Sequence, residues 1–142
     1  MDLKIAVMTE EEAQRLDLRM PNGEYCTYGK DGEKKLHLML LSSSSPVGKK
    51  FERKLLDKRI KEQQRFRKPH MSAAQLEEDA IEKLAALTVG GIVCPYDKKK
   101  GKFLDTEIEI NQSNAAELYR NNDWIKKQVV DFVEEDNNFL AN

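Results

Sequence analysis

The residues best suited to metal chemistry are two histidines and two cysteines, His37, His70, Cys26 and Cys94. Zinc sites usually place such ligands in short repeats such as CxxC or HxxxH, and these four side chains fall in none of them. The cysteines also lack a close pairing motif, which is typical of free thiols in a reducing cytosol. The sequence therefore predicts two ordinary histidines, two small buried thiols, no metal and no other cofactor.

Hydroxyl and carboxylate runs offer a second set of reactive groups. Residues 42–45 are four serines, but no GxSxG turn surrounds them, and a serine nucleophile needs a base within hydrogen-bond reach. Gly90-Gly91 has no following Lys-Ser/Thr and no GxGxxG pattern to hold a phosphate. The acidic runs 10–12 and 134–136 lie in polar surroundings, where nothing would raise a carboxyl pKa. These runs therefore predict a linker with a helix cap, a helix stop and solvated acidic faces.

Clustered positive charge is the strongest chemical signal. Residues 49–68 contain ten Lys/Arg and three Asp/Glu, a net charge of +7, so the rest of a chain with net charge −1 carries −8. A second lysine-rich stretch spans 98–102. Such clusters can bind phosphates, but base stacking needs aromatic residues, and only Phe51 and Phe66 lie among them. A solvated or protein-binding face is favoured over nucleic acid.

Length and composition limit what can position these groups. The chain has 142 residues, enough for one domain with one core, and only 39% are hydrophobic while 35% are charged. No apolar run reaches the length of a membrane span, and the start lacks the pattern of a secretory signal. We expect a soluble protein with a modest core and no membrane partner.

The pattern predicts an α+β protein in two parts. Residues 1–45 are expected to form an N-terminal β-hairpin or small sheet. Leu16, Leu18 and Met20 alternate with polar residues before a turn at 21–23, and LHLMLL follows at 36–41. Residues 46–142 are expected to form a mostly α-helical body, which begins after the serine run.

Four segments make up the predicted body. A basic helix spans 46–68, with Pro46 in its first turn and Ser44 or Ser45 as its cap. On a helical wheel, Phe51, Leu55 and Phe66 cluster, and Leu56 and Ile60 lie about a quarter-turn away. A core helix spans 72–90 and ends at Gly90-Gly91, a β-hairpin is compatible with 92–110, and helices fill 112–140.

Local signals add detail to these helices. Ser72 caps the core helix, whose buried stripe is Leu76, Ala80, Leu84 and Leu87. Asn111 and Asn122 are the expected caps of the last two helices. In the final helix, one apolar face contains Ile125, Val129, Phe132 and Val133, and Trp124 lies at its edge. Asp136 would fall within that face, so we expect the helix to break there and Asp136 to cap a final turn.

Several stretches together resemble the tail assembly chaperones of long-tailed, siphovirus-type bacteriophages. The resemblance runs over about residues 16–140. It begins with LDLRMPNGE, LHLMLL and SSSSP, and continues with Phe51-Glu52-Arg53, Lys58-Arg59-Ile60 and LEEDAIEKLAALTVGG. Its strongest part is terminal: Asn114-Ala115, Leu118-Tyr119, Trp124-Ile125, Gln128-Val129, Asp136 and Asn138-Phe139-Leu140. The chain departs from it at Asn122-Asp123-Trp124, where many family members have Asn-Pro-Trp.

The resemblance implies a protein without catalytic activity. Such chaperones bind the tape measure protein, keep it soluble and help to recruit tail tube subunits around it. They act in the cytoplasm of the infected bacterial host and are absent from the mature virion. A structural virion protein of the tail or head-tail connector is the alternative, and a DNA-binding protein is less favoured. A homo-oligomer is compatible with either function. The predicted partner-binding residues are Trp124, Phe139, Leu140, Phe51, Arg53, Arg59 and Phe66.

Overall fold

A four-stranded antiparallel sheet packs against helices in the computed structural model, which describes residues 12–66 and 72–140 but not the side chains of residues 65 and 66. In chain order the strands are β1 (Gln14–Asp17), β2 (Thr27–Tyr28), β3 (Lys34–Lys35), β4 (His37–Leu40), β5 (Thr88–Val93), β6 (Tyr96–Asp97), β7 (Lys102–Phe103) and β8 (Ile108–Glu109). The helices are α1 (Pro46–Phe66), α2 (Ala73–Leu87), α3 (Gln112–Asn121) and α4 (Asp123–Glu134). The predicted α+β class is confirmed.

The main sheet has the order β1-β4-β5-β8. β1 and β4 are antiparallel, with Leu16 opposite Leu38, and the short β2–β3 ladder lies within the connection between them. Leu36, Leu38 and Leu40 are buried, as their alternation with polar residues predicts, because they share the face of the sheet turned to the core. Leu18, just past β1, is also fully buried.

The end of α2 and the start of β5 correct two predictions. α2 ends at Leu87 rather than at residue 90, and Gly90 and Gly91 are inside β5 instead of ending a helix. β5 pairs with β4. The close approach of β5 to β4 requires glycine at position 91, because a Cβ there would lie 2.5 Å from the His37 carbonyl oxygen. The sheet therefore combines strands from both sides of residue 45, the boundary between the two predicted parts.

The serine run starts α1 and belongs to the core. The Gly48 amide donates to Ser45 Oγ at 3.2 Å, so Ser45 rather than Ser44 is the cap. Ser42 and Ser45 are fully buried, and the Ser43 amide donates to the Val133 carbonyl at 2.9 Å. Residues 42–45 therefore supply the predicted cap and also pack into the core. The predicted end of α1 at 68 lies outside the described residues.

α2 shows a predicted cap and an exposed leucine. The Gln75 amide donates to Ser72 Oγ at 3.1 Å, as expected of an N-cap. Ile81, Leu84 and Leu87 are buried, but Leu76 is 47% exposed and Ala80 is also exposed, so these two residues do not belong to the predicted core stripe. The hairpin 92–110 contains the β5–β8 pairing at its base and the β6–β7 pairing at its lysine-rich tip.

Two of the caps predicted for the C-terminal segment differ in the structure. Asn111 caps α3 through a capping box with Asn114, but Asn122 makes no side-chain cap to α4 and donates to the Leu118 carbonyl. α4 does break before Asp136, and a 3-10 turn (Asp136–Phe139) follows. Glu135, not Asp136, caps this turn by accepting from the Asn137 amide. Of the described helices, none is long and apolar enough to cross a membrane.

Candidate partner-binding surface

The inner side of α1 packs on α2 and is held by one lysine. Leu55 is buried at this contact and Phe51 is half-buried. Lys83 of α2 donates to Glu52 Oε1 at 2.6 Å and to Ser43 Oγ at 2.9 Å, which joins α2, α1 and the serine run. These contacts fix the orientation of α1, so that one face of the helix must be turned outward.

The outward face carries a straight stripe of four exposed residues, which we call the outer stripe: Lys49, Arg53, Leu56 and Ile60. Leu56 is 56% exposed and Ile60 44% exposed, so the stripe presents two adjacent apolar side chains to solvent. Their offset from the Phe51–Leu55 cluster on the helical wheel was the sequence signal for this exposure. The predicted partner residue Arg53 lies in the stripe.

A row of lysines flanks the outer stripe. Lys50, Lys54, Lys58 and Lys61 are exposed and spaced four, four and three residues apart, so they share one side of α1. The whole helix contains eight Lys/Arg and three Asp/Glu, a net charge of +5. The exposed side of α1 therefore combines two apolar side chains with a strongly positive surface.

Arg59 faces a different feature, an inner groove of about 320 Å³ between α1, α2 and α4. Leu55, Leu76, Val130 and Val133 are among its apolar lining residues. Arg59 Nε is buried and has no hydrogen-bond partner among the described residues. Asp79, also in the lining, is 3% exposed and accepts from Gln75 Nε2 at 2.9 Å. Arg53 and Arg59, predicted together, thus belong to separate surfaces.

The two aromatic residues predicted on α1 contribute differently. Phe51 lines a second cavity, of about 480 Å³, together with Val47, Lys54, Ala85 and Ala116. This cavity lies where α1 meets α2 and α3, away from the outer stripe. The side chain of Phe66 is not described, so its predicted role stays a prediction.

Trp124 is anchored rather than free. It is half-buried and packs against the core, where it lines a cavity of about 280 Å³ with Cys94 and Phe103. Its neighbour Gln128 accepts from the Arg19 amide at 2.7 Å and donates to the Arg19 carbonyl at 2.8 Å, which ties α4 to the N-terminal sheet. Trp124 is therefore less accessible than its wheel position predicts.

The burial of Phe139 argues against its predicted docking role. Phe139 is fully buried, and its ring meets Phe132 edge to face at 5.4 Å between centroids. A partner cannot reach Phe139 in this structure, because the final 3-10 turn folds it back onto α4. Leu140, the next residue, is 36% exposed. The family-like ending Asn138-Phe139-Leu140 therefore has a structural role at Phe139.

Four buried thiol and phenol groups among the described residues have raised pKa values. Burial raises the pKa of Cys26 to about 11, and it also raises the pKa of Cys94. Burial raises the pKa of Tyr119 to about 12, and burial with a hydrogen bond to Glu107 does the same for Tyr28. A thiol with a raised pKa is protonated near neutral pH and is a poor nucleophile.

No protein-family model matches the chain. No curated protein and no solved structure matches it either.

Proposed function

We propose that this protein is a tail assembly chaperone of a long-tailed bacteriophage. It binds the tape measure protein in the cytoplasm of the infected host, keeps it soluble and helps to recruit tail tube subunits. The sequence resemblance motivates this function. The observation that carries it is α1, a helix with net charge +5 that holds Leu56 and Ile60 in solvent. An exposed apolar patch that is rimmed by polar residues can mark a protein–protein contact.

The size and charge of this surface fit a reversible contact. Two exposed apolar side chains bury little area, so each bound client segment can dissociate, as assembly requires. The lysines increase the rate of association with acidic segments. A chaperone of this kind covers apolar helical segments of its client and is displaced when tube subunits assemble.

Co-expression with the tape measure protein tests the function. We expect the soluble fraction of the tape measure protein to rise when this chain is present and to fall again with the variant Leu56→Glu. The variant Val89→Glu, which places the same charge at an exposed apolar residue of β5, is the control. Equal solubility of the tape measure protein with and without the chain would contradict the proposal.

Mass spectrometry of purified particles separates the chaperone from a structural virion protein. A chaperone should be absent from mature particles, whereas a tail or connector component should be present in stoichiometric amount. Its presence at the copy number of a tail protein would replace the proposed function by the structural one.

A further inference from the structure

We propose that the outer stripe binds one acidic amphipathic helix of a partner protein. The inference rests on the proposed function in one respect, because the client would supply that helix. It goes further in assigning the site to Lys49, Arg53, Leu56 and Ile60 and in stating what the partner must present: apolar side chains beside one end of the stripe and carboxylates beside the other.

The spacing of the stripe matches a helix partner. Its positions are separated by four, three and four residues, the a/d spacing that lets two helices pack along a common seam. Leu56 then occupies a d position and Ile60 an a position, the arrangement that favours two-stranded packing. The stripe is about 17 Å long at 1.5 Å per residue, equal to about three helical turns.

The charge distribution selects an acidic partner. Lys49 and Arg53 form the basic end of the stripe, Lys50 of the lysine row lies beside them, and all three are exposed. Glu52, the acid nearest to them in sequence, is bound to Lys83. No ion pair of these three cations with another described residue is present, not even of Arg53 with Asp57 four residues on, so carboxylates on a partner helix can pair with them.

The same charges argue against pairing between the α1 helices of two copies. Each α1 carries +5, so two of them side by side would repel. Nucleic acid fits the lysine row but leaves Leu56 and Ile60 without a function, because phosphate binding requires no exposed apolar pair. A helix that is both acidic and apolar uses all four residues of the stripe.

Titration with three labelled synthetic helices tests the inference by fluorescence anisotropy. The Glu peptide has leucines at two successive a/d positions and glutamates at the next two. The Lys peptide replaces the glutamates by lysine, and the Ala peptide replaces the leucines by alanine. We expect the Glu peptide to bind, its affinity to fall with added salt, and the other two to bind about tenfold or more weakly.

Variants of the full chain locate the binding site. Arg53→Glu should weaken binding of the Glu peptide at low salt by about tenfold, and Leu56→Ala with Ile60→Ala by a similar factor. Lys98→Glu makes the same charge change at the exposed hairpin tip, and Leu76→Ala removes an exposed leucine from α2. Both controls should stay within about twofold of the unmodified chain. Circular dichroism confirms that each variant is folded.

Four results would overturn the inference. The first is equal affinity for the Glu and Lys peptides, and the second is unchanged binding by the Leu56→Ala, Ile60→Ala variant. A third is that the chain binds duplex DNA more tightly than the Glu peptide and that the Leu56→Ala, Ile60→Ala variant binds DNA equally well. This result would assign the surface to nucleic acid. A fourth is a dimer whose formation depends on Leu56 and Ile60, which would assign it to a second copy.

The peptide titration and the co-expression experiment fail independently. A tape measure protein made soluble by the chain, with no binding of the Glu peptide, would reject the stripe and leave the proposed function in place. Binding of the Glu peptide, with no effect of the chain on the tape measure protein, would reject the chaperone function and leave the stripe in place.

Discussion

Gly91 shows how one residue can be required by a backbone contact. Its φ is +140°, a value that side chains disfavour, and an added Cβ would lie 2.5 Å from the His37 carbonyl oxygen and 2.8 Å from Leu38 Cα. Both are backbone atoms of β4, which cannot move without disturbing the sheet. We expect Gly91→Ala to lower the free energy of unfolding by about 2–4 kcal/mol, measured by urea denaturation.

Gly90 supplies the control for this substitution. A Cβ at Gly90 would lie 3.8 Å from the Met39 side chain, an ordinary contact. Gly90→Ala should therefore change the free energy of unfolding by less than about 1 kcal/mol. Equal effects of the two substitutions would show that strand propensity, and not the approach of β4, determines the cost.

Tyr119 makes a buried hydrogen bond whose direction follows from counting hydrogens. Thr88 Oγ donates its only hydrogen to the Leu84 carbonyl at 2.8 Å, so Tyr119 must donate in its 2.6 Å contact with Thr88 Oγ. Tyr119→Phe removes this donor and leaves the Thr88–Leu84 bond in place. We expect it to lower the free energy of unfolding by about 1 kcal/mol at pH 8, measured in urea.

The same tyrosine should contribute to alkaline unfolding. The pKa of folded Tyr119 is about 12, above its usual value of 10. A raised folded pKa gives stability that is complete below pH 10 and is lost as pH rises from 10 to 12, because only the unfolded chain then ionises. At pH 11 this loss is about 1.4 kcal/mol. Tyr119→Phe has no hydroxyl to ionise, so the difference in free energy of unfolding between this variant and the unmodified chain should disappear near pH 11. A difference that stays constant with pH would contradict the burial of an ionisable hydroxyl.

At the scale of elements, the final 3-10 turn completes the core. Phe139 is fully buried against Phe132, so Phe139→Ala should leave a cavity and lower the free energy of unfolding by about 3–5 kcal/mol. Thermal and urea unfolding measure this loss. Leu140→Ala, at the more exposed neighbour, should cost less than about 1 kcal/mol. A stable Phe139→Ala variant that fails only in partner binding would restore the docking role for Phe139.

α1 differs from the other helices in how it is held. Its cap, Ser45, and the Lys83 bridge to Glu52 and Ser43 are both at its N-terminal half. In the second half, Arg59 faces the inner groove, whereas Leu56 and Ile60 of the outer stripe are exposed. This arrangement gives a rigid base for an exposed binding helix.

At the scale of the whole molecule, the sheet should make unfolding cooperative. β4 comes from the first 45 residues and pairs with β5, which follows α2. Far-UV circular dichroism and Trp124 fluorescence should therefore report one transition with the same urea midpoint. Residues 46–142 expressed alone should not fold, because β5 would lose β4 and keep only the short β8 as a partner strand. Two separated transitions, or a folded fragment, would show that the parts on either side of residue 45 are independent.

Charge is also organised over the whole molecule. α1 carries +5 in a chain of net charge −1, which leaves −6 for the remainder. This polarity could orient the protein on an acidic partner before contact is made.

Features governed by neighbouring residues were predictable from the sequence. The caps at Ser45, Ser72 and Asn111 depend on a side chain and an amide within three residues. The alternation of buried leucines in β4 and the buried face of α4 follow from the period of each element. The break of α4 before Asp136 also follows, because a buried carboxylate without a partner is costly.

Other features were decided only when distant segments met. Gly90-Gly91 has the composition of a helix stop, yet β4 provides a strand to pair with. Phe139 was predicted to bind a partner, but the final turn packs it against Phe132. The helical wheel separates Phe51 and Leu55 from Leu56 and Ile60, but only the packing of α2 on α1 decided which pair is covered. The sequence by itself determined the local periods, the caps and the charge of α1; the tertiary structure decided which apolar faces were covered, because burial depends on contacts between residues far apart in the chain.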